Sequence, residues 1–137
     1  MKEITVTANI KAPLTMVWKC WTESNHVQNW NFASSDWHCP TAKSDFKIGG
    51  EFHYMMAAKD GSFSFDFWGT FTNINPEKSI EILLGDGRNM SVFFDTIGED
   101  TTVTEVFEPE EINSIELQKE GWQAILDNFK KYAEGLF

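Results

Sequence analysis

Residues 45–74 read DFKIGGEFHYMMAAKDGSFSFDFWGTFTNI, two extended runs with an aromatic at nearly every second position and Asp60-Gly61 between them. Period-two alternation marks strands with one face turned to a core, and Asp-Gly is a preferred corner of a tight hairpin. Phe52, Tyr54 and Met56 share one face of the first run, and Phe63, Phe65, Phe67 and Phe71 share one face of the second. The opposite parity carries His53, Ser62, Ser64, Asp66, Trp68 and Thr70, a set that suits solvent except for Trp68. The run 62–74 is too long for a flat strand, and Gly69 sits where a bend or bulge lets it curl into a concave face.

Turn signals recur at Gly49-Gly50, Asp60-Gly61, 76–79, Asp86-Gly87 and 98–100, which predicts six consecutive antiparallel strands from residue 41 onward. Val92 and Phe94, then Val103 and Phe107, are the inward positions on the later strands. Upstream, 5–10 alternates as a first strand. Pro13 then opens a short helix with Leu14, Val17, Trp18 and Trp21 on its apolar side, and Ser24 caps a second that runs to Trp30. The stretch 31–40 has no period and reads as a loop carrying Phe32, Trp37 and His38.

Residues 114–134 repeat at helical spacing through Ile115, Trp122, Ile125, Leu126, Phe129 and Ala133, continuing to Leu136. Asn113 as N-cap with Glu116 three positions on gives a capping box, Ile112 can staple to Leu117, and Gly135 is a natural stop. Gly121 inside this helix costs ~1 kcal/mol relative to alanine, which points to a close contact or a pocket beside Trp122. The pattern predicts an α+β fold in one domain, 1–137. A curved seven-stranded antiparallel sheet wraps around one long C-terminal helix, with two short helices after the first strand. A helix laid across a concave sheet encloses a small-molecule cavity.

Composition narrows the occupant. Twelve Phe, six Trp and two Tyr make 15% of the chain aromatic, so flat rings fill the interior. A net charge of -10 repels phosphate backbones and anionic lipid surfaces, which excludes nucleic acid and membrane insertion as partners. The first ten residues lack the apolar core of a secretory signal, and Cys20 and Cys39 have no C-x-x-C spacing, so the expectation is a cytoplasmic protein with two reduced structural thiols.

Candidate chemistry is sparse. Gly85-x-Gly87 has Met90 where a dinucleotide fingerprint needs its third glycine, and reads as a hairpin turn. His26, His38 and His53 have no metal-ligand spacing, and no metal or other cofactor is called for. His38 is a general base at a cavity mouth or a loop-packing side chain. Asp66 is a carboxylate of raised pKa if its strand is covered on both faces, and a solvated acid otherwise. Glu105 shares the inward parity of Val103 and Phe107, as a buried anchor for a ligand or for Tyr54. A dry cavity of ~300 Å³ costs roughly 7 kcal/mol, so the enclosed space must be small, wet or occupied.

Ile10-Lys-Ala-Pro13 followed by Val17-Trp18, Trp30, the 45–54 segment DFKIGGEFHY, Asp60-Gly61, Gly69-Thr-Phe, and Gly121-Trp122 with Leu126 and Phe129 resembles the SRPBCC superfamily. Within it the chain is similar to the family named for activators of the heat-shock protein 90 ATPase, over 4–135. The resemblance implies the helix-grip fold shared with START-like, birch-pollen-allergen-like and polyketide-cyclase proteins. The eukaryotic activators join such a domain to a separate N-terminal one that contacts the chaperone, and 137 residues leave no room for it. The implied function is a non-catalytic binder of a lipid, polyketide or flavonoid-like aromatic. The expected ligand-binding residues are Trp30, Trp37, Tyr54, Phe65, Phe67, Phe94, Glu105, Gln118 and Trp122. The alternatives are a cyclase or aromatase moving protons through His38, Tyr54, Asp66 or Glu105, and a chaperone-interacting protein.

Overall fold

The alternation produces one antiparallel sheet that curls around a helix. The computed structural model describes residues 3–136. Its elements are β1 (Ile4–Ile10), α1 (Leu14–Thr22), α2 (Ser24–Val27), β2 (Trp37–His38), β3 (Ala42–Ser44), β4 (Glu51–Ala58), β5 (Ser64–Asn75), β6 (Ser79–Leu84), β7 (Asn89–Ile97), β8 (Asp100–Phe107) and α3 (Ile115–Leu136). Sheet order is β1-β8-β7-β6-β5-β4-β2, with β3 also paired to β4. Among the described residues the sheet contains the seven predicted strands and one short addition. The addition is Trp37–His38, which pairs with Ala58 and Ala57, and two residues are too few to show a period.

Register turns alternate side chains inward, so Ile4, Val6, Ala8 and Ile10 of β1 and Val103, Glu105 and Phe107 of β8 are buried on one face. Leu126, Phe129 and Ala133 of α3 and Val17 and Cys20 of α1 close that face. Side chains of α3 also reach the outer edge of β1. Gln123 Nε2 donates to Thr7 O (3.1 Å), Lys130 Nζ donates to Asn9 O, and Lys11 N donates to Glu134 Oε2 (2.8 Å). No helix among the described residues is long and apolar enough to cross a membrane.

Several local expectations are corrected. The helix α2 ends at Val27, with Glu23 at its N-cap and Ser24 as its first helical residue. The cap of α3 is Ser114, whose Oγ accepts from Leu117 N (3.1 Å), because the Glu110 carboxylate holds Asn113 through its backbone N–H (2.6 Å) and Nδ2 (3.2 Å). Ile112 is 91% exposed, so no staple forms. The helix also runs through Gly135. The bulge in β5 falls between Phe71 and Asn73. At Gly69 the strands instead approach closely, and a Cβ there would lie 2.9 Å from Leu83 O and 3.0 Å from the Phe52 ring. Outward Trp68 stacks on His53 (centroids 5.3 Å, interplanar 8°), so the exception on the polar face is a paired ring.

Candidate functional site

Between sheet and helices lies a cavity of ≈ 240 Å³. Phe52, Phe71, Ile80 and Ile82 form its sheet wall, Trp122 and Ile125 of α3 its roof, and Trp21 and Trp30 one end. Backbone register sets Tyr54 opposite Phe67. Phe67 meets Trp122 edge-on (6.0 Å, 82°), and Trp122 stacks on Phe107 (3.8 Å, 14°), so the indole is held from two sides. Trp30 donates its Nε1 hydrogen to Cys20 O (3.0 Å) and packs against Trp21 (4.8 Å) and Phe129 (4.8 Å). These rings are fixed before any ligand arrives.

Glu105 is the acid on these walls. It is 5% exposed, its register neighbours are Val6 on β1 and Val92 on β7, and no described residue hydrogen-bonds its carboxyl, Tyr54 included. Burial alone pushes its pKa up to about 8, so near neutrality it holds its proton. Burial likewise pushes the Tyr54 phenol up. Arg88 stands at the mouth, where it donates to Asp86 Oδ2 (2.7 Å) and Glu108 O (3.1 Å).

The expected ligand residues divide by position. Trp30, Tyr54, Phe65, Phe67, Glu105 and Trp122 line the inner cavity. Trp37 and Gln118 instead line an outer groove of ≈ 410 Å³, which shares Phe65, Arg88, Trp122 and Ile125 with it. Phe94 lines neither, because α1 covers that part of the sheet and packs Trp18 (5.0 Å) and Trp21 (6.0 Å) against its ring. Phe65 is 44% exposed at the rim and Phe63, 58% exposed, lies past it, and Trp37 meets each at 6.1 Å. Asp66 lies on the outer face, where it and Glu51 bond His53 (2.8 and 2.9 Å) and raise the imidazole pKa. His38 lines neither space.

Gln118 is buried but its amide is already engaged. It accepts from Glu110 N (2.9 Å) and donates to Glu110 O (3.0 Å) and Asn113 O (2.8 Å), locking the turn before α3. Replacing Gln118 with Leu is expected to cost about 1–2 kcal/mol in urea denaturation and to speed amide exchange at residues 110–113. Arg88 and Asn31 escaped the sequence reading, since nothing in their local pattern shows what they reach. Trp21 had a signal, its helical spacing from Trp18. Among the described residues no group of three His, Cys, Asp or Glu side chains can hold a metal ion.

A curled antiparallel sheet closed by a terminal helix, with two short helices after the first strand, is the helix-grip architecture of SRPBCC proteins. The profile of the family "Activator of Hsp90 ATPase homolog 1-like protein" matches residues 11–134, and the chain belongs to that family. Among solved structures, the AHSA1-like protein from Aeromonas hydrophila is 40% identical, with a TM-score of 0.92 over 98% of this chain and 94% of that one. Chr148 from Cytophaga hutchinsonii is 46% identical, with a TM-score of 0.84 over 98% and 93%. CalU16 from Micromonospora echinospora, 18% identical with a TM-score of 0.73 over 97% and 74%, shares the fold. No curated protein matches the chain significantly.

Proposed function

We propose that the protein binds an apolar small molecule, a lipid, polyketide or flavonoid-like aromatic, between its sheet and α3. The observation that carries this reading is the preformed cavity of ≈ 240 Å³ walled by immobilised rings. Kept dry and empty, that space costs about 6 kcal/mol at ~24 cal/mol per Å³, comparable to the net stability of a whole domain. Occupation by a flat ligand offsets the cost, with stacking and shape supplying most of the affinity.

Binding is favoured over catalysis by where the titratable groups lie. The cyclase reading needs a proton donor and a base to converge. Tyr54 and Glu105 both line the cavity but burial keeps both protonated, while His38 lines neither space and Asp66 is bonded to His53 on the outer face, so among the described residues no base stands beside them. The two free, buried thiols of Cys20 and Cys39 support a reducing, cytoplasmic setting. A titration with flavonoids, polyketides and fatty acids, followed by amide shifts and native mass spectrometry, is expected to find a binder that moves Trp30, Tyr54, Phe67 and Trp122. A negative result across all three classes refutes the reading. The family description favours one second reading, chaperone contact, which stimulation of a purified chaperone ATPase tests.

A further inference from the structure

Among the described residues four polar side chains are buried in the interior, and three have protein partners. Thr101 Oγ1 donates to Ala12 O (2.9 Å), Asn31 Nδ2 donates to Met56 Sδ (3.2 Å), and Gln118 makes the three bonds described above. Glu105 is the fourth and has none among the described residues. Ser44 Oγ is also unpartnered, but it is sealed inside protein, whereas the Glu105 side chain borders the cavity. The Glu105 oxygens are reached from the cavity rather than sealed off, so their partner, water or an atom of a ligand that displaces it, comes from that side.

The surroundings decide what kind of atom that is. Val6 and Val92 flank Glu105 on the neighbouring strands, and Trp122 and Ile125 of α3 are on the cavity wall. The charged side chain besides Glu105 on that wall, Arg88, is at the mouth and bound to Asp86 and Glu108. Among the described residues no cation therefore supports an ionised carboxylate. A cationic ligand would have to form an ion pair in an apolar enclosure, where desolvation of both charges opposes the gain. A neutral carboxyl offers one O–H donor at no such cost. The flanking Trp30, Tyr54, Phe67 and Trp122 rings and the ≈ 240 Å³ volume suit a fused bicyclic ligand.

Building on the binding function proposed above, we infer that Glu105 is the recognition group of the cavity. It donates a hydrogen bond to an acceptor oxygen on a fused-ring ligand, so the protein selects ketone-type aromatics over hydrocarbons and amines of the same shape.

The test uses 1-tetralone, tetralin and 1-aminotetralin, which share one bicyclic skeleton, titrated into the full chain near pH 6.5 with affinities read from amide shifts. The ketone is expected to bind ~10-fold more tightly than the hydrocarbon, the worth of one hydrogen bond, and the amine most weakly. In Glu105→Leu the ketone preference disappears while tetralin still binds. In Glu105→Gln, whose amide also donates, the preference is kept. In the unmodified protein, raising the pH to about 9.5 ionises the carboxyl, weakens the ketone and leaves tetralin unchanged, which tests the idea even if a variant fails to fold. Equal affinity for ketone and hydrocarbon, a preference that survives Glu105→Leu, or tightest binding of the amine overturns the inference while leaving the cavity as a binding site. Failure of all three probes to bind overturns the inference, while the binding function itself stands or falls on the titration with flavonoids, polyketides and fatty acids.

Discussion

Glu105→Gln is expected to stabilise the protein in alkaline solution and to leave its stability in acid nearly unchanged. The folded carboxyl titrates at about 8 and its ordinary value is 4.5. Below 4.5 both folded and unfolded chains carry the proton, so the site contributes no penalty. Between the two values the unfolded chain has released its proton and the folded chain has not, so folding must take one up and stability falls as pH rises. Above 8 the folded state holds a buried carboxylate with no partner, and the penalty is complete. Each pKa unit is worth about 1.4 kcal/mol, which sets an upper bound. Relaxation and water entry reduce the expected gain in the glutamine variant to on the order of 3 kcal/mol near pH 9. His53 also loses stability toward alkaline pH, since Asp66 and Glu51 raise its pKa, but it does so in both proteins and cancels in the difference. Urea unfolding of the two proteins near pH 4, 7 and 9 measures the effect. A difference that does not grow with pH would mean that Glu105 is ionised or paired in the folded state.

The second large effect is expected at Gly50. A Cβ there would lie 2.0 Å from Asp45 O and 3.1 Å from Lys47 O, both backbone atoms of the turn entering β4. That turn is fixed by Asp45 N to Glu51 O (2.9 Å), Gly50 N to Lys47 O (2.9 Å) and a pair of bonds to β5, Gly49 N to Phe71 O (2.7 Å) and Phe71 N to Gly50 O (2.9 Å). Alanine enters only if part of this network opens, which displaces Phe46 and Phe52, both on the cavity wall. Gly50→Ala is expected to cost about 3 kcal/mol or more. Its neighbour is the control. Gly49 has open space around it but a φ of +88°, so Gly49→Ala meets only backbone strain of about 1–2 kcal/mol. Urea midpoints of the two variants should therefore fall in that order, and the reverse order would contradict the turn geometry.

Where the fold was legible, it was because a pattern repeats. The alternation in β4, β5 and β8 and the helical spacing of Trp122, Leu126 and Phe129 each rest on several residues, so one exception does not hide the period. Features decided by one contact were not legible. Asn113 and Ser114 are both good caps, and the Glu110 carboxylate, by taking Asn113, settles the choice. Parity turned Phe94 inward, but only the path of α1 shows that helix side chains cover it rather than a ligand space. Gln118 was read as a cavity residue, yet its amide partners belong to a turn with no period. Glu105 is the intermediate case. Its inward direction follows from Val103 and Phe107, while its lack of a partner depends on which residues the register sets beside it, Val6 from the far end of the chain and Val92 from the preceding strand.

The three α3 side chains that bond Thr7 O, Asn9 O and Lys11 N have a consequence for self-association. Unpaired amides and carbonyls on a border strand are templates onto which another chain can add. Here two carbonyls of β1, those of Thr7 and Asn9, are already taken, so stacking of molecules edge to edge along that stretch is opposed by the same helix that roofs the cavity. Loosening α3 to admit a bulky guest would therefore also uncover a site for aggregation.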